Sequence, residues 1–236
     1  MIREHLFSNR TELFNALTKN CLSFLTTALH NHGVASILAS GGSTPAPLYE
    51  RLSASDLNWG VIRVALVDER WVDRDHEASN ESFLYRTLLK NKAELAVFTG
   101  MKNAASSAEE GYGEIERRYR SLPQPFTLAI LGIGADGHTA SWFPHAEGLA
   151  AAIASDDERL VTPIAARASR VTGLHTERMT LTLAGLLRSE RLILLLTGDE
   201  KLAVYRHAQS TGSIEDMPVR ALLQQERVPL ELYWSP

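Results

Sequence analysis

The chain has 236 residues, of which 44% are apolar and 22% charged, and a formal net charge of −4. That length can bury a sizeable core, and the balance is that of an ordinary globular protein rather than a disordered or fibrous one. The negative charge argues against a general nucleic-acid binder, no apolar run approaches the roughly 20 residues that span a bilayer, and the single cysteine excludes a disulfide framework or multi-cysteine metal site.

The opening Met-Ile-Arg-Glu-His-Leu carries an acid and lacks the long apolar core of a secretory signal, so a cytoplasmic protein is expected. Over residues 11–31, Leu13, Phe14, Leu17, Phe24, Leu25, Ala28 and Leu29 recur at helical spacing. A helix there would stop before Gly33, a natural left-handed cap. Cys21 lies inside this pattern and reads as a small core residue rather than a nucleophile. Residues 34–39 then read as a strand, followed directly by Ser40-Gly41-Gly42-Ser43-Thr44-Pro45. This stretch resembles a phosphate cradle: the two glycines admit an anion close to the backbone, Ser43 and Thr44 add hydroxyl donors, and Pro45 suits the first position of a helix whose amino end attracts negative charge. It also fits a plain Gly-rich turn with a Ser/Thr cap. The P-loop pattern Gly-x-x-x-x-Gly-Lys-Ser/Thr is absent, which removes the main support for nucleotide triphosphate chemistry.

A second strand over 61–67 ends in Asp68-Glu69-Arg70-Trp71-Val72, and Asn80-Glu81-Ser82 opens the next helix. Arg70 offers a planar, permanently charged set of donors for a phosphate, a carboxylate or a developing oxyanion, with Asp68 and Glu69 placed to orient it. A solvated salt bridge on a loop is the plainer alternative. Further strands are expected at 96–99, 126–131, 160–164, 191–197 and 229–233, with a helix over 107–120 ending before Pro123 and an exposed acidic loop at 155–159.

After the strand at 126–131 comes Gly132-Ile-Gly134-Ala-Asp136-Gly137-His138-Thr-Ala-Ser-Trp142-Phe143-Pro144, which sets a carboxylate and an imidazole two residues apart in a glycine-rich turn. Asp136 is placed to orient His138, and an oriented imidazole can take a proton from water near neutral pH. Gly132, Gly134 and Gly137 also spell the dinucleotide pattern Gly-x-Gly-x-x-Gly. That loop must open a long helix, and Pro144 follows too soon for one, so a nicotinamide or flavin site is not expected. Two lone cations complete the set: Arg178, and Lys201 in the first turn of a predicted helix, where an anion would offset its conflict with the helix dipole. His76, His145 and His175 lack ligand spacing and neither His-Glu-x-x-His nor Gly-x-Ser-x-Gly occurs, so neither a metal site nor a serine hydrolase is expected.

Strands alternating with helices from end to end imply an α/β fold: a single doubly wound, mainly parallel sheet with helices on both faces, Rossmann-like in three αβα layers, across residues 1–236. Taken together in order, the 40–45, 68–72, 79–82, 132–144, 178–182 and 198–201 motifs resemble the 6-phosphogluconolactonases of the glucosamine-6-phosphate isomerase/6-phosphogluconolactonase family. Gly-x-Gly-x-Asp-Gly-His is shared with the related deaminases. Those continue with Asn-Glu-Pro where this chain has Trp142-Phe143-Pro144, and carry Asp-Glu-Tyr where it has Asp68-Glu69-Arg70. The resemblance implies hydrolysis of 6-phosphoglucono-δ-lactone in the pentose phosphate pathway without a cofactor. It implies His138 as general base, Asp136 as its holder and Arg70 on the oxyanion or the phosphate. Gly41, Gly42, Ser43, Thr44, Arg178 and Lys201 would hold the phosphate end. The implied partner is a small phosphosugar lactone, with no nucleic acid and no membrane. A monomer is the simpler expectation and a homodimer stays open, since isologous interfaces leave little trace in one sequence. A sugar-phosphate-binding regulator that kept the scaffold but lost the chemistry is the alternative class.

Overall fold

Strands and helices alternate as the apolar pattern predicts in the computed structural model, which describes residues 2–236. β1 (Ile2–Leu6) leads through α1 (Arg10–His32) to β2 (Ala35–Ala39) and α2 (Ala46–Ser53). β3 (Ile62–Leu66) is followed by β4 (Asp68–Arg70), α3 (Asn80–Thr87), β5 (Val97–Thr99), α4 (Ala108–Arg120) and β6 (Leu128–Leu131). The second half adds α5 (Leu149–Ile153), β7 (Val161–Ala165), β8 (Glu177–Leu181), α6 (Leu183–Leu186), β9 (Leu192–Thr197), α7 (Asp199–Ala208), α8 (Val219–Gln224) and β10 (Leu230–Ser235).

Seven strands form one sheet in the order β1-β10-β9-β6-β2-β3-β5, parallel at every pairing. All residues of β2 and β6 are buried, as expected of central parallel strands covered on both faces. The chain winds outward from β2 through β3 to β5 on one side and from β6 through β9 to β10 on the other. The order therefore reverses between β2 and β6, and a crevice opens beyond their carboxyl ends. The two strands are tied at their far ends by reciprocal bonds: Ser36 N–H donates to Thr127 Oγ1 (3.0 Å) and Thr127 N–H to Ser36 Oγ (2.9 Å).

The sheet is not the only one. β4, β8 and β7 make a separate antiparallel sheet, so the strand expected at 160–164 does not join the parallel sheet. No helix separates β7 from β8, and without a crossover helix consecutive strands pair antiparallel. Pro163 is tolerated in β7 because that strand lies at the edge. The two sheets meet at Val67, the one residue between β3 and β4: its N–H donates to Ala39 O (3.0 Å) and its carbonyl accepts from Leu181 N–H (2.8 Å).

Local signals end the helices as read. Asn9 Oδ1 accepts from Glu12 N–H (2.9 Å) at the start of α1, and Gly33, at φ 70°, closes it. Ser107 caps α4 in the same way through Glu110 N–H (3.2 Å). Pro45 sits at the cap of α2 rather than inside its first turn. Cys21 is wholly buried in the core, where burial pushes its thiol up to about 12. No helix among the described residues is long and apolar enough to cross a membrane.

Candidate active site

The crevice between β2 and β6 is a cleft of about 430 Å³, and it gathers motifs that lie far apart in the chain. Gly41, Gly42, Ser43 and Thr44 reach it from the loop after β2, His138 from the loop after β6, Arg70 from β4, Arg178 from β8 and Lys201 from the first turn of α7. Asp136 is not part of the wall, but it is bonded to a residue that is.

That bond is short: His138 Nδ1 lies 2.6 Å from Asp136 Oδ1, and His138 N–H donates to the same oxygen at 3.2 Å. With Asp136 ionised, Nδ1 carries the proton and Nε2 is left as the basic nitrogen. Burial raises the Asp136 carboxyl, but the hydrogen bonds and charge of His138 outweigh it and hold the group below its ordinary value of 3.8. A tight turn presents the pair, with Gly134 N–H donating to His138 O (2.8 Å), Gly137 N–H to Gly134 O (3.1 Å), and Gly137 at φ 79°. The turn is anchored one step on, where buried Trp142 donates Nε1–H to Leu181 O at 2.8 Å. Its neighbour Phe143 packs its ring 4.2 Å from the imidazole, and the Arg178 guanidinium lies 4.8 Å from the same ring.

Gly134 is there for space. A Cβ on it would stand 1.9 Å from His138 Nδ1 and 2.7 Å from Asp136 Oδ1. Gly134→Ala is expected to displace the imidazole and lower turnover by about tenfold or more, the scale on which misplacing a reacting group by an ångström is felt. Steady-state kinetics beside a thermal melt check this, and unchanged turnover would mean that the pairing geometry is not needed.

The cationic wall is built on the small sheet. Arg70 and Arg178 are directly opposite in the β4–β8 ladder, and Asp68 stands two residues from Arg70 on the same face. Like charges directly opposite are unfavourable in an antiparallel pair, so this arrangement suits an anion between them. Asp68 does not orient Arg70 as expected from sequence. Its Oδ2 accepts from Ser141 Oγ (2.6 Å) and lies 3.9 Å from Arg178 Nη1. Arg178 also donates Nε–H to His175 O (3.0 Å) and Nη2–H to Thr172 O (2.7 Å), pinning the loop between β7 and β8. Burial draws its guanidinium below the ordinary value, which Asp68 opposes and Arg70 reinforces. Arg70 donates Nη1–H to Ala78 O (2.6 Å), while its buried Nε has no partner among the described residues.

Glu69 points the other way and caps α3. It accepts from the N–H groups of Arg70, Asn80 and Glu81, each at 2.8 Å, and from Ser79 Oγ at 3.2 Å. Burial pushes its carboxyl up to about 7 against the pull of those N–H donors. Across the cleft, Gly42 turns at φ 90° and Tyr49 donates its hydroxyl to Ser40 O (2.9 Å), fixing the glycine loop. Reading the sequence missed three contributors: Phe143 under both His138 and Arg178, Asn80 in the cleft wall, and Ser141 on Asp68. Each stood inside a quoted motif, but only tertiary proximity gives it a partner.

A parallel α/β scaffold with a hydrogen-bonded Asp–His pair facing a cluster of cations at its switch point defines a class of enzymes acting on small anionic substrates. The model of the glucosamine-6-phosphate isomerases/6-phosphogluconolactonase family matches residues 8–234, and the chain belongs to this family. It is 35% identical over 232 residues to a 6-phosphogluconolactonase of Rhizobium meliloti, covering 98% of each chain. A crystal structure of a 6-phosphogluconolactonase from Shewanella baltica superposes with a TM-score of 0.93 at 36% identity, over 100% of this chain and 98% of that one. A monomeric glucosamine-6-phosphate deaminase shares the fold, with a TM-score of 0.78 at 17% identity over 99% and 97% of the two chains.

Proposed function

We propose that the protein hydrolyses 6-phosphoglucono-δ-lactone to 6-phosphogluconate, the pentose phosphate pathway step, by a water that His138 activates. The observation that carries this reading is the 2.6 Å Asp136–His138 pair set in the same cleft as the glycine loop and three cations. His138 Nε2 takes a proton from the water as it attacks C1, and the carbonyl electrons move onto oxygen. Collapse of the tetrahedral intermediate breaks the bond from C1 to the ring oxygen, which receives the proton back from Nε2. Asp136 holds the imidazole and offsets its transient positive charge.

Gly41, Gly42, Ser43 and Thr44 bind the phosphate through backbone N–H and hydroxyl groups, with Arg178 and Lys201 matching its charge. Arg70 is then left over, and its guanidinium in the cleft wall suits the developing oxyanion. Binding energy from the remote phosphate positions C1 against the water. The chain's own chemistry fits hydrolysis better than deamination: Phe143 occupies the position of the deaminase glutamate, and ring opening with loss of ammonia needs more proton transfers than one pair supplies.

Disappearance of the lactone, measured against its spontaneous hydrolysis, tests the proposal. Acceleration by the purified protein is expected. A rate equal to background sinks the lactonase reading: ammonia release from glucosamine 6-phosphate would then make it a deaminase, and tight 6-phosphogluconate binding alone a binding protein.

A further inference from the structure

The cleft wall carries a polar side chain that the mechanism above leaves unused and whose oxygen has no partner among the described residues. Asn80, the first residue of α3, lines the cleft although it is only 2% exposed. Its orientation is fixed from three sides. The backbone N–H donates to Glu69 Oε1 at 2.8 Å, and Nδ2–H donates to Asp68 O at 2.8 Å, with Asp68 Oδ1 at 3.4 Å. Gly41 presses on the third side, where a Cβ would fall 1.9 Å from Asn80 Oδ1. Because the Asp68 carbonyl only accepts, the amide cannot flip without losing its best bond. Oδ1 is thus held beside the glycine loop, and among the described residues no N–H or O–H donates to it.

An acceptor with no donor repels a phosphate oxygen and calls for an O–H, and unlike Asp68, the other acceptor side chain in the wall, which takes Ser141 Oγ–H and lies by Arg178, the Asn80 oxygen is not already engaged. Between the phosphorylated C6 and the reacting C1, the substrate of the proposed function offers such groups only at C2, C3 and C4. We propose that Asn80 is a specificity-determining residue whose Oδ1 accepts a hydrogen bond from one ring hydroxyl of the lactone, an inference that rests on the lactonase reading. A site built to bond a hydroxyl discriminates strongly against an analogue lacking it, because the bound analogue covers the acceptor and leaves it unpaired. The amide therefore selects polyhydroxy lactones over deoxygenated ones, independently of the phosphate contacts.

The test is a double comparison: wild type and Asn80→Ala, each assayed on 6-phosphoglucono-δ-lactone and on its 2-, 3- and 4-deoxy analogues. For one analogue the wild type should lose about tenfold or more in kcat/KM while Asn80→Ala loses no further activity on it, the pattern of a shared contact. Equal losses on every analogue in both proteins overturn the assignment and leave Asn80 a support for the glycine loop. If Asn80→Ala does not fold, the wild-type series decides: a single sensitive analogue supports the contact, and none overturns it. Background rates on the parent lactone would overturn the lactonase reading as well, whereas full activity there with no sensitive analogue overturns only the hydroxyl contact.

Discussion

His138→Ala is expected to lower kcat on 6-phosphoglucono-δ-lactone by roughly 10²- to 10⁴-fold while leaving KM and the melting temperature nearly unchanged, the usual scale for a positioned general base. The imidazole makes no hydrogen bond to the glycine loop or to either arginine, so its removal leaves the phosphate end intact. What is lost is the Nε2 acceptor and the proton it returns to the ring oxygen. Asp136 would lose the imidazole hydrogen bond and charge that hold its carboxyl below 3.8 in the intact protein, and would keep the burial that raises it. That shift has a stability consequence of fixed sign: the contribution is present above the ordinary carboxylate value and disappears as pH falls through the lowered one. Stopped-flow measurement at several pH values decides the matter, and a mutant as fast as wild type removes His138 from the base role.

Arg178→Ala should affect both binding and folding. Its side chain is about 5% exposed and serves four neighbours: Asp68, two loop carbonyls and the Phe143 ring. Truncation strands the buried Asp68 carboxylate without its cation and frees the carbonyls of Thr172 and His175. Breaking a buried pair from one side costs about 3–5 kcal/mol. On the proposed function the same change also removes a contact to the substrate phosphate, so KM is expected to rise about tenfold or more. Lysine should not rescue it, because a point charge cannot serve Asp68 and two carbonyls through one planar fork. Urea denaturation and saturation kinetics measure the two effects separately. A folded, fully stable Arg178→Ala with unchanged KM would show that the guanidinium neither supports the loop nor meets substrate.

Much of this was legible in one dimension, and the reasons differ by element. The strand at 126–131 and the helix at 11–31 are read from apolar runs and 3.6-residue spacing because both are buried along a continuous face. β4 escaped because three residues hold no period. β1 sets Arg3, Glu4 and His5 in a row between Ile2 and Leu6 along an edge, with no strand period to read, and β8 resembles a charged loop until Arg178 is seen turned inward. Asp136 and His138 could be paired from spacing alone because the turn that joins them is local. Asp68 could not: its partners Ser141 and Arg178 lie 73 and 110 residues away, and only the antiparallel sheet brings them together. Asn80 was visible as a helix start, but its orientation depends on Gly41 and Glu69, which no local pattern connects to it.

The joint at Val67 bears on how the cleft can behave. One residue belongs to both sheets, its N–H bonded to Ala39 on one side and its carbonyl to Leu181 on the other. The jaw carrying Gly41 and Gly42 continues from Ala39, and the jaw carrying Arg70 and Arg178 from the residues around Val67 and Leu181. Their separation is thus a fixed gauge, set by covalent geometry and two hydrogen bonds rather than by a hinge. A substrate that fits between them meets both jaws without first ordering a linker. The width between the glycine loop and the two arginines becomes a quantity the backbone sets before any side chain reads it.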